Sequence, residues 1–181
     1  CNSLYTSIAN LNNKAKEMLK LHNVDYYTNE IMKNNNIENR MNWDIVTIDS
    51  VGSKDLDDAL GFKHINDNET LVSVYISNMV FWMDILDLWD SFANRISTIY
   101  LPDRKRPMMP TKLSDDICSL LEGQKRFTFT LDITINRLTG EIISYDYCNS
   151  LIIVNKNLRH KTDELDNNII YKNLSELSRK M

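Results

Sequence analysis

Alternation of apolar and polar residues is the clearest structural pattern in the chain. It runs from Phe127 to Ile135 and predicts a half-buried β-strand. The turn residues Leu138-Thr139-Gly140 follow, and Glu141–Tyr147 predicts the returning strand of a β-hairpin. Further strands are predicted at Trp43–Ile48, Ala59–Ile65 and Thr70–Ser77, the last two joined by the turn Asn66–Glu69.

Apolar residues at helical spacing predict amphipathic helices over residues 7–21 and 85–96. A polar C-terminal helix is predicted over residues 161–180, and Ser114 before Asp115 and Asp116 predicts a capped helix start. Residues 23–42 are polar and irregular, with one short helix expected around Asn29–Met32. The fold class is therefore α+β, with a mixed, antiparallel-rich sheet and helices packed on it.

The composition is that of one globular domain. The chain has 181 residues, of which 43% are hydrophobic and 25% charged, and its net charge is −4. No apolar run approaches the roughly 18 residues that a membrane span requires, so no membrane partner is expected. The mild acidity argues against binding nucleic acid over the whole surface, but not against binding it in a local channel.

Two features of residue usage add to this interpretation. The cysteines Cys1, Cys118 and Cys148 are isolated, which predicts reduced thiols in an intracellular compartment, either cytoplasm or nucleus. All prolines lie between Pro102 and Pro110, which predicts a fixed, irregular loop there. Because the chain starts with cysteine rather than methionine, we expect it to be a piece of a longer protein.

Carboxylates are concentrated near the end of the first predicted strand. Asp49 ends that strand, and Asp55, Asp57 and Asp58 lie where the next strand begins. A tight return between the strands can bring them together, and converging carboxylates repel one another unless cations neutralise them. Mg²⁺ suits such a site because it binds carboxylates, waters and substrate phosphates, and a pair of such ions promotes phosphodiester hydrolysis.

Other interpretations of these residues are weaker, although a solvated acidic turn stays open. A calcium-binding loop that began at Asp49 would need glutamate where this chain has Leu60. A phosphotransferase would place Asp-x-Asp directly at a strand end, whereas Asp55-Leu56-Asp57 follows Val-Gly-Ser-Lys. The glycines are isolated, which excludes a glycine-rich phosphate loop, and the histidines lack metal-ligand spacing.

Motifs in four places resemble, in order and spacing, signatures of the ribonuclease II / ribonuclease R superfamily. The acidic cluster fits T-I-D-x-x-x-x-x-D-x-D-D-A from Thr47 to Ala59. The others are Arg95–Pro102 for R-x-x-T-x-Y-L-P, Pro107–Pro110 for I-P-M-L-P, and Leu113–Leu120 for L-S-D-x-L-C-S-L. The resemblance makes residues 43–181 the N-terminal half of an RNB-type catalytic domain, and residues 1–42 a linker or helical lead-in to it.

The resemblance implies a 3′→5′ exoribonuclease that hydrolyses single-stranded RNA to nucleoside 5′-monophosphates with Mg²⁺. By motif position, Asp49 and Asp58 match the principal metal ligands, Asp55 a supporting ligand, and Asp57 the carboxylate on which turnover depends most. Tyr100 matches an aromatic residue that packs on a nucleotide near the RNA 3′ end. The basic residues that either contact phosphates or form a solvated turn are Arg104, Lys105 and Arg106.

The chain also departs from the family pattern. Where the family has H-I-A-D-V, Asn78 replaces the acid, and the later S-P-x-R-R-Y motif and second clamp aromatic do not occur in this sequence. Flanking oligonucleotide-binding barrels are absent from it too. Two hypotheses remain: half of an active exonuclease, or a truncated, catalytically silent module that binds RNA or protein. Single-stranded RNA is the expected partner, and a larger RNA-decay assembly is a further option.

Overall fold

The structure is a computed structural model that describes residues 2–53, 55–89, 99–102, 105–106, 108–109 and 111–180. The helices are α1 (Asn2–Leu21), α2 (Val24–Asn34), α3 (Val80–Ile85), α4 (Asp163–Asn167) and α5 (Ile169–Ser178), with one π-helical turn at Leu113–Ile117. The strands are β1 (Glu38–Arg40), β2 (Ile45–Asp49), β3 (Asp58–His64), β4 (Glu69–Ser77), β5 (Ile99–Tyr100), β6 (Lys105–Arg106), β7 (Lys125–Asn136), β8 (Ile142–Ile153) and β9 (Lys156–Arg159).

The chain divides into two compact units. One comprises Cys1–Asn36 with Met79–Ile117 and is mainly helical. The other comprises Ile37–Asn78 with Cys118–Met181 and contains a seven-stranded sheet. The predicted acidic residues all belong to this second unit, whereas Tyr100 and the basic residues that follow it belong to the first.

The sheet has the strand order β1-β8-β7-β4-β3-β2-β9. The two outermost pairs, β1 with β8 and β2 with β9, are parallel, and the inner pairs are antiparallel. This confirms the predicted α+β class with a mixed, antiparallel-rich sheet. Both predicted hairpins, β3–β4 and β7–β8, are present. The alternation in β7 does not mark the buried side throughout, because Thr128 and Thr130 are fully buried whereas Phe129 is 48% exposed.

The polar segment before β2 is more ordered than the sequence predicts. α2 is eleven residues long, and the Asn23 side chain accepts a hydrogen bond from the Tyr26 N–H at 2.8 Å at its start. Tyr27 and Ile31, one helical turn apart, are its buried apolar residues. β1 joins the sheet within the predicted lead-in, because its short polar sequence pairs with the distant strand β8.

Three predicted helices meet different outcomes. Most of the helix predicted over residues 85–96 lies outside the described part, which omits residues 90–98; α3 ends at Ile85, and residues 86–88 are not helical. Ser114 does not cap a helix but lies within the π-helical turn. The C-terminal helix is divided at Asn168, whose extended backbone ends α4 and whose side chain accepts hydrogen bonds from the first amides of α5. In the part that the structure describes, no helix is long and apolar enough to cross a membrane.

The two faces of the sheet bury different cores, because successive residues of a strand point to opposite sides. Val46 packs with Leu158 of β9, Leu165 of α4 and Ile170 of α5. Its neighbour Ile45 packs in the opposite core, which also holds Leu56, Ala59, Tyr75, Leu120, Ile152 and Val154. The second core lies beneath the loop that carries the acidic residues.

Buried polar groups connect the central strands. Thr128, Thr130 and Ser150 are fully buried, and their hydroxyl oxygens lie 2.6, 2.8 and 3.2 Å apart. Arg40 of β1 donates to both carboxylate oxygens of Asp132 on β7, at 2.8 and 2.6 Å. Burial alone would raise the pKa of Asp132, but the hydrogen bonds and charge of Arg40 outweigh it and hold that pKa below its ordinary value.

We expect Asp132→Asn to destabilise the chain by about 3 kcal/mol at pH 7, because the buried Arg40 charge then keeps only the exposed Glu38 as an ionised partner. A lowered carboxyl pKa stabilises the fold above pH about 4 and ceases to do so as the pH falls through that lowered pKa. Urea unfolding at pH 7 and pH 3 should therefore show a smaller difference between variant and wild type at pH 3. The control is Asp146→Asn, an exposed carboxylate opposite Asp132 on β8; equal differences at both pH values would contradict the prediction.

Candidate functional site

The acidic residues lie where two antiparallel strands stop pairing with each other. β2 and β3 are paired at Ile45–Gly61 and Val46–Leu60. Beyond these pairs, Thr47–Asp49 pair with β9, and Asp58 and Ala59 pair with β4. The strands therefore diverge toward Asp49 and Asp58, and the loop that joins them begins and ends at this edge.

The loop between these strands turns sharply and is then anchored in the core. The Ser53 N–H donates to the Ser50 oxygen at 3.1 Å, and Gly52 has a φ of +89°, which favours glycine. Leu56, by contrast, is 1% exposed and packs in the core with Ile45. Asp55 is half-buried and Asp57 is exposed. A single apolar anchor therefore holds the two carboxylate-bearing residues beside it at the surface.

Both backbone polar groups of Leu56 are hydrogen-bonded to two adjacent residues, Ser119 and Leu120. The Leu56 N–H donates to the Ser119 hydroxyl at 3.1 Å, and the Leu56 oxygen accepts from the Leu120 N–H at 2.8 Å. The next residue is held as well, because the Asp57 oxygen accepts from the Ser77 N–H at 2.8 Å. The positions of Asp55 and Asp57 along the loop are thus set by the buried backbone between β2 and β3.

Asp49 is a largely buried member of the four predicted acids, whereas Asp57 and Asp58 are exposed. The Asp49 side chain is 12% exposed, and its Oδ2 atom is buried without a hydrogen-bond partner, 3.9 Å from Nη1 of Arg159. Burial raises the pKa of Asp49, and the negative charge of Asp58 raises it further, against the opposing effects of Thr47 and Arg159. The surroundings of Asp49 therefore disfavour its negative charge when no cation is present.

These residues suit a divalent cation in one specific respect. Among the described residues, no three His, Cys, Asp or Glu side chains are grouped so that they could hold a metal ion. However, a hard cation binds carboxylate oxygens, and Asp49 offers one buried oxygen atom without a hydrogen-bond partner. Asp58 adds its charge, since it acts electrostatically on Asp49. The metal-binding roles of Asp49, Asp55 and Asp58, and the catalytic role of Asp57, stay predictions.

Three of the four predicted RNA-contacting residues, Tyr100, Lys105 and Arg106, lie in a short antiparallel hairpin. Tyr100 pairs with Lys105, and Ile99 pairs with Arg106, in the antiparallel strands β5 and β6. Arg104 lies outside the described residues. The hairpin places Tyr100 and Lys105 opposite each other along the backbone, and their contact with RNA stays a prediction.

Three residues near the acids were not singled out by the sequence. Arg159 and Asn157 lie on β9, a four-residue strand without enough alternation to be predicted. The Asn157 side chain donates to the Thr47 hydroxyl at 3.0 Å and to the Leu120 oxygen at 2.9 Å. Ser119 lies in a motif that the sequence does reveal, but its bond to Leu56 spans 63 residues and has no local signal.

Comparison with known proteins identifies the family. A family model described as RNB domain matches residues 37–174. The chain belongs to the RNB domain family, which confirms the resemblance to the ribonuclease II / ribonuclease R superfamily. β1 lies inside this match, in agreement with its place in the sheet.

One relative and two solved structures show how far the similarity extends. Ribonuclease R of Ureaplasma parvum is 42% identical over 97 residues, which are 52% of this chain and 13% of that protein. RNase R of Mycoplasma genitalium, solved with ribose-methylated single-stranded RNA, has a TM-score of 0.66 and 23% identity over 88% of this chain and 28% of that one. Yeast Ssd1, a pseudonuclease, has a TM-score of 0.67 and 17% identity over 80% of this chain and 19% of that one. The chain thus spans about an eighth of the relative's length, and the low-identity structures show a shared fold.

We expect Asp49→Asn to raise the stability of the chain in cation-free buffer at pH 7. The pKa of Asp49 is raised by burial and by Asp58, so its charge lowers stability once the pH rises above its folded-state pKa. Asparagine resembles the protonated acid, so variant and wild type should converge as the pH falls below about 4. Urea unfolding across this range measures the effect. Asp67→Asn, in an exposed turn, is the control, and a less stable Asp49→Asn chain at pH 7 would refute the prediction.

Proposed function

We propose that this chain provides the metal-binding part of a 3′→5′ exoribonuclease site that hydrolyses single-stranded RNA to nucleoside 5′-monophosphates with Mg²⁺. The observation that carries the proposal is the buried Oδ2 atom of Asp49, which has no hydrogen-bond partner. The negative charge of Asp58 acts on this carboxylate and helps to raise its pKa. Membership of the RNB domain family and the relative named ribonuclease R support the same activity.

In this proposal the chain's acids have different roles. Asp49 and Asp58 would hold Mg²⁺, with Asp55 as a supporting ligand. The chemistry that Mg²⁺ supplies when bound is polarisation of a phosphoryl oxygen and activation of water. Asp57 is exposed, and its backbone is fixed by Ser77, so its carboxylate can face the substrate and orient the attacking water or accept its proton.

The hairpin β5–β6 would bind the RNA. Stacking of a base on Tyr100 would contribute about 1–3 kcal/mol without strong sequence preference. Arg104, Lys105 and Arg106 would add charge-dependent contacts to phosphates, which weaken as salt concentration rises. We further infer an intracellular location, in keeping with the isolated spacing of the cysteines in the sequence, and a larger RNA-decay assembly as an additional partner.

A catalytically silent module that binds RNA or protein is the second candidate. The same fold occurs in a yeast protein that is described as a pseudonuclease. This sequence also contains Asn78 where the family has an acid, and the Asn78 side chain donates to Asn149 at 3.1 Å across the sheet. A fold can be retained in a protein that has lost the catalytic activity. The two candidates are therefore distinguished by whether the aspartates support RNA hydrolysis.

We expect the 181-residue chain alone to leave single-stranded RNA intact in the presence of Mg²⁺. The reason is that the sequence contains neither the S-P-x-R-R-Y arginine nor the second clamp aromatic that the family resemblance assigns to catalysis. Denaturing gels of 5′-labelled RNA measure the outcome. Shortening of the RNA that depends on Mg²⁺ and is removed by a chelator would contradict this prediction.

We expect Asp57→Asn to reduce RNA hydrolysis by at least about 100-fold while RNA binding stays largely unchanged. The test is a chimera in which residues 37–174 replace the matching part of Ureaplasma parvum ribonuclease R, assayed for turnover and for RNA binding. Asp67→Asn in the same chimera is the control and should keep full activity. A folded chimera that binds RNA but never cleaves it would favour the silent module, and normal cleavage by Asp57→Asn would refute the role of Asp57.

A further inference from the structure

Ser119 forms a direct hydrogen bond with the acidic loop, which its sequence motif does not predict. Its hydroxyl oxygen accepts the Leu56 N–H at 3.1 Å, and both residues are buried, at 0% and 1% exposure. Leu56 lies between Asp55 and Asp57 in the chain. A change in the position of Leu56 would therefore move both carboxylate-bearing residues.

Ser119 itself is held rigidly. Its carbonyl oxygen accepts from Nε of the buried Arg126 at 2.6 Å. On one side of it, the Cys118 oxygen accepts from the Ser77 hydroxyl at 2.5 Å. On the other side, the Leu120 oxygen accepts from Asn157 at 2.9 Å. Side chains from β4, β7 and β9 thus fix Ser119 and Leu120, which bond to the loop, and Cys118, which precedes them.

The side chain of Ser119 has a different role from the backbone around it. The bond between the Leu120 N–H and the Leu56 oxygen joins two backbone groups, so it does not depend on which side chains are present. The bond from the Leu56 N–H needs a side-chain acceptor at position 119. Without it, this buried N–H would be left unsatisfied, and the loop would move to find another partner.

We propose that Ser119 is a positioning residue for cation binding: its hydroxyl holds the Leu56 backbone so that Asp55 and Asp57 stand at a fixed spacing from Asp49 and Asp58. This inference rests on the proposed metal site. Groups that orient metal ligands without touching the metal commonly change its affinity by 10- to 100-fold when they are removed. The effect should therefore be visible in cation affinity itself, without any assay of turnover.

The experiment is a titration of the 181-residue chain with Mn²⁺, in which electron paramagnetic resonance counts free and bound ions. We expect Ser119→Ala to bind Mn²⁺ roughly 10-fold more weakly than wild type. The matched control is Ser150→Ala, which removes an equally buried hydroxyl that bonds to Thr128 and Thr130. Ser150→Ala should lower stability to a similar degree but leave Mn²⁺ affinity unchanged.

Two further variants keep the test decisive if Ser119→Ala does not fold. Ser119→Thr retains the hydroxyl and should bind Mn²⁺ like wild type, whereas Ser119→Cys offers a weaker acceptor of similar size and should bind it less tightly. Unchanged affinity in Ser119→Ala or Ser119→Cys would overturn the inference, and so would an equal loss in Ser150→Ala. If wild type itself does not bind Mn²⁺, both the proposed metal site and the role of Ser119 in cation binding are refuted, whereas unchanged affinity in Ser119→Ala beside a wild type that binds Mn²⁺ refutes the role of Ser119 alone.

Discussion

The burial of Leu56 between two carboxylate-bearing residues is the constraint on which the site depends. The hydrophobic effect favours burial of the Leu56 side chain in the core. Burial of this side chain also fixes the backbone of the acidic loop. The carboxylates of its neighbours Asp55 and Asp57 are not buried with it, because the free-energy cost of burying an isolated charge is far larger than the gain from burying a leucine. The core beneath the loop, with Ile45 and Tyr75, therefore determines where the acids lie.

The burial of Asp49 lowers the stability of the fold at the proposed catalytic site. Asp49 is held in surroundings that raise its pKa, with a carboxylate oxygen that has no hydrogen-bond partner. Such a group is retained against its own electrostatic cost by the structure around it, as is common at functional sites. The stabilising interactions are found elsewhere in the sheet, in the Arg40–Asp132 pair and in the buried hydroxyls of β7 and β8.

The shared fold and the proposed activity are separate properties of this chain. A ribonuclease R and a pseudonuclease both resemble it at nearly the same TM-score. What differs between an active and a silent member of such a fold is a small number of side chains and their spacing. In this chain, that spacing depends on the hydrogen bonds that the loop backbone forms with Ser119, Leu120 and Ser77.

The sequence by itself determined the elements whose pattern is local. The alternation in β7 and the turns that follow β3 and β7 predict two hairpins correctly, and four motifs resemble those of the family to which the chain belongs. Tertiary structure decided what depends on distant residues. The short polar strands β1 and β9 form because they pair with β8 and β2. Likewise, the contact of Ser119 with Leu56 and the approach of Arg159 to Asp49 arise when the sheet closes, since residues so far apart in the chain leave no periodic signal.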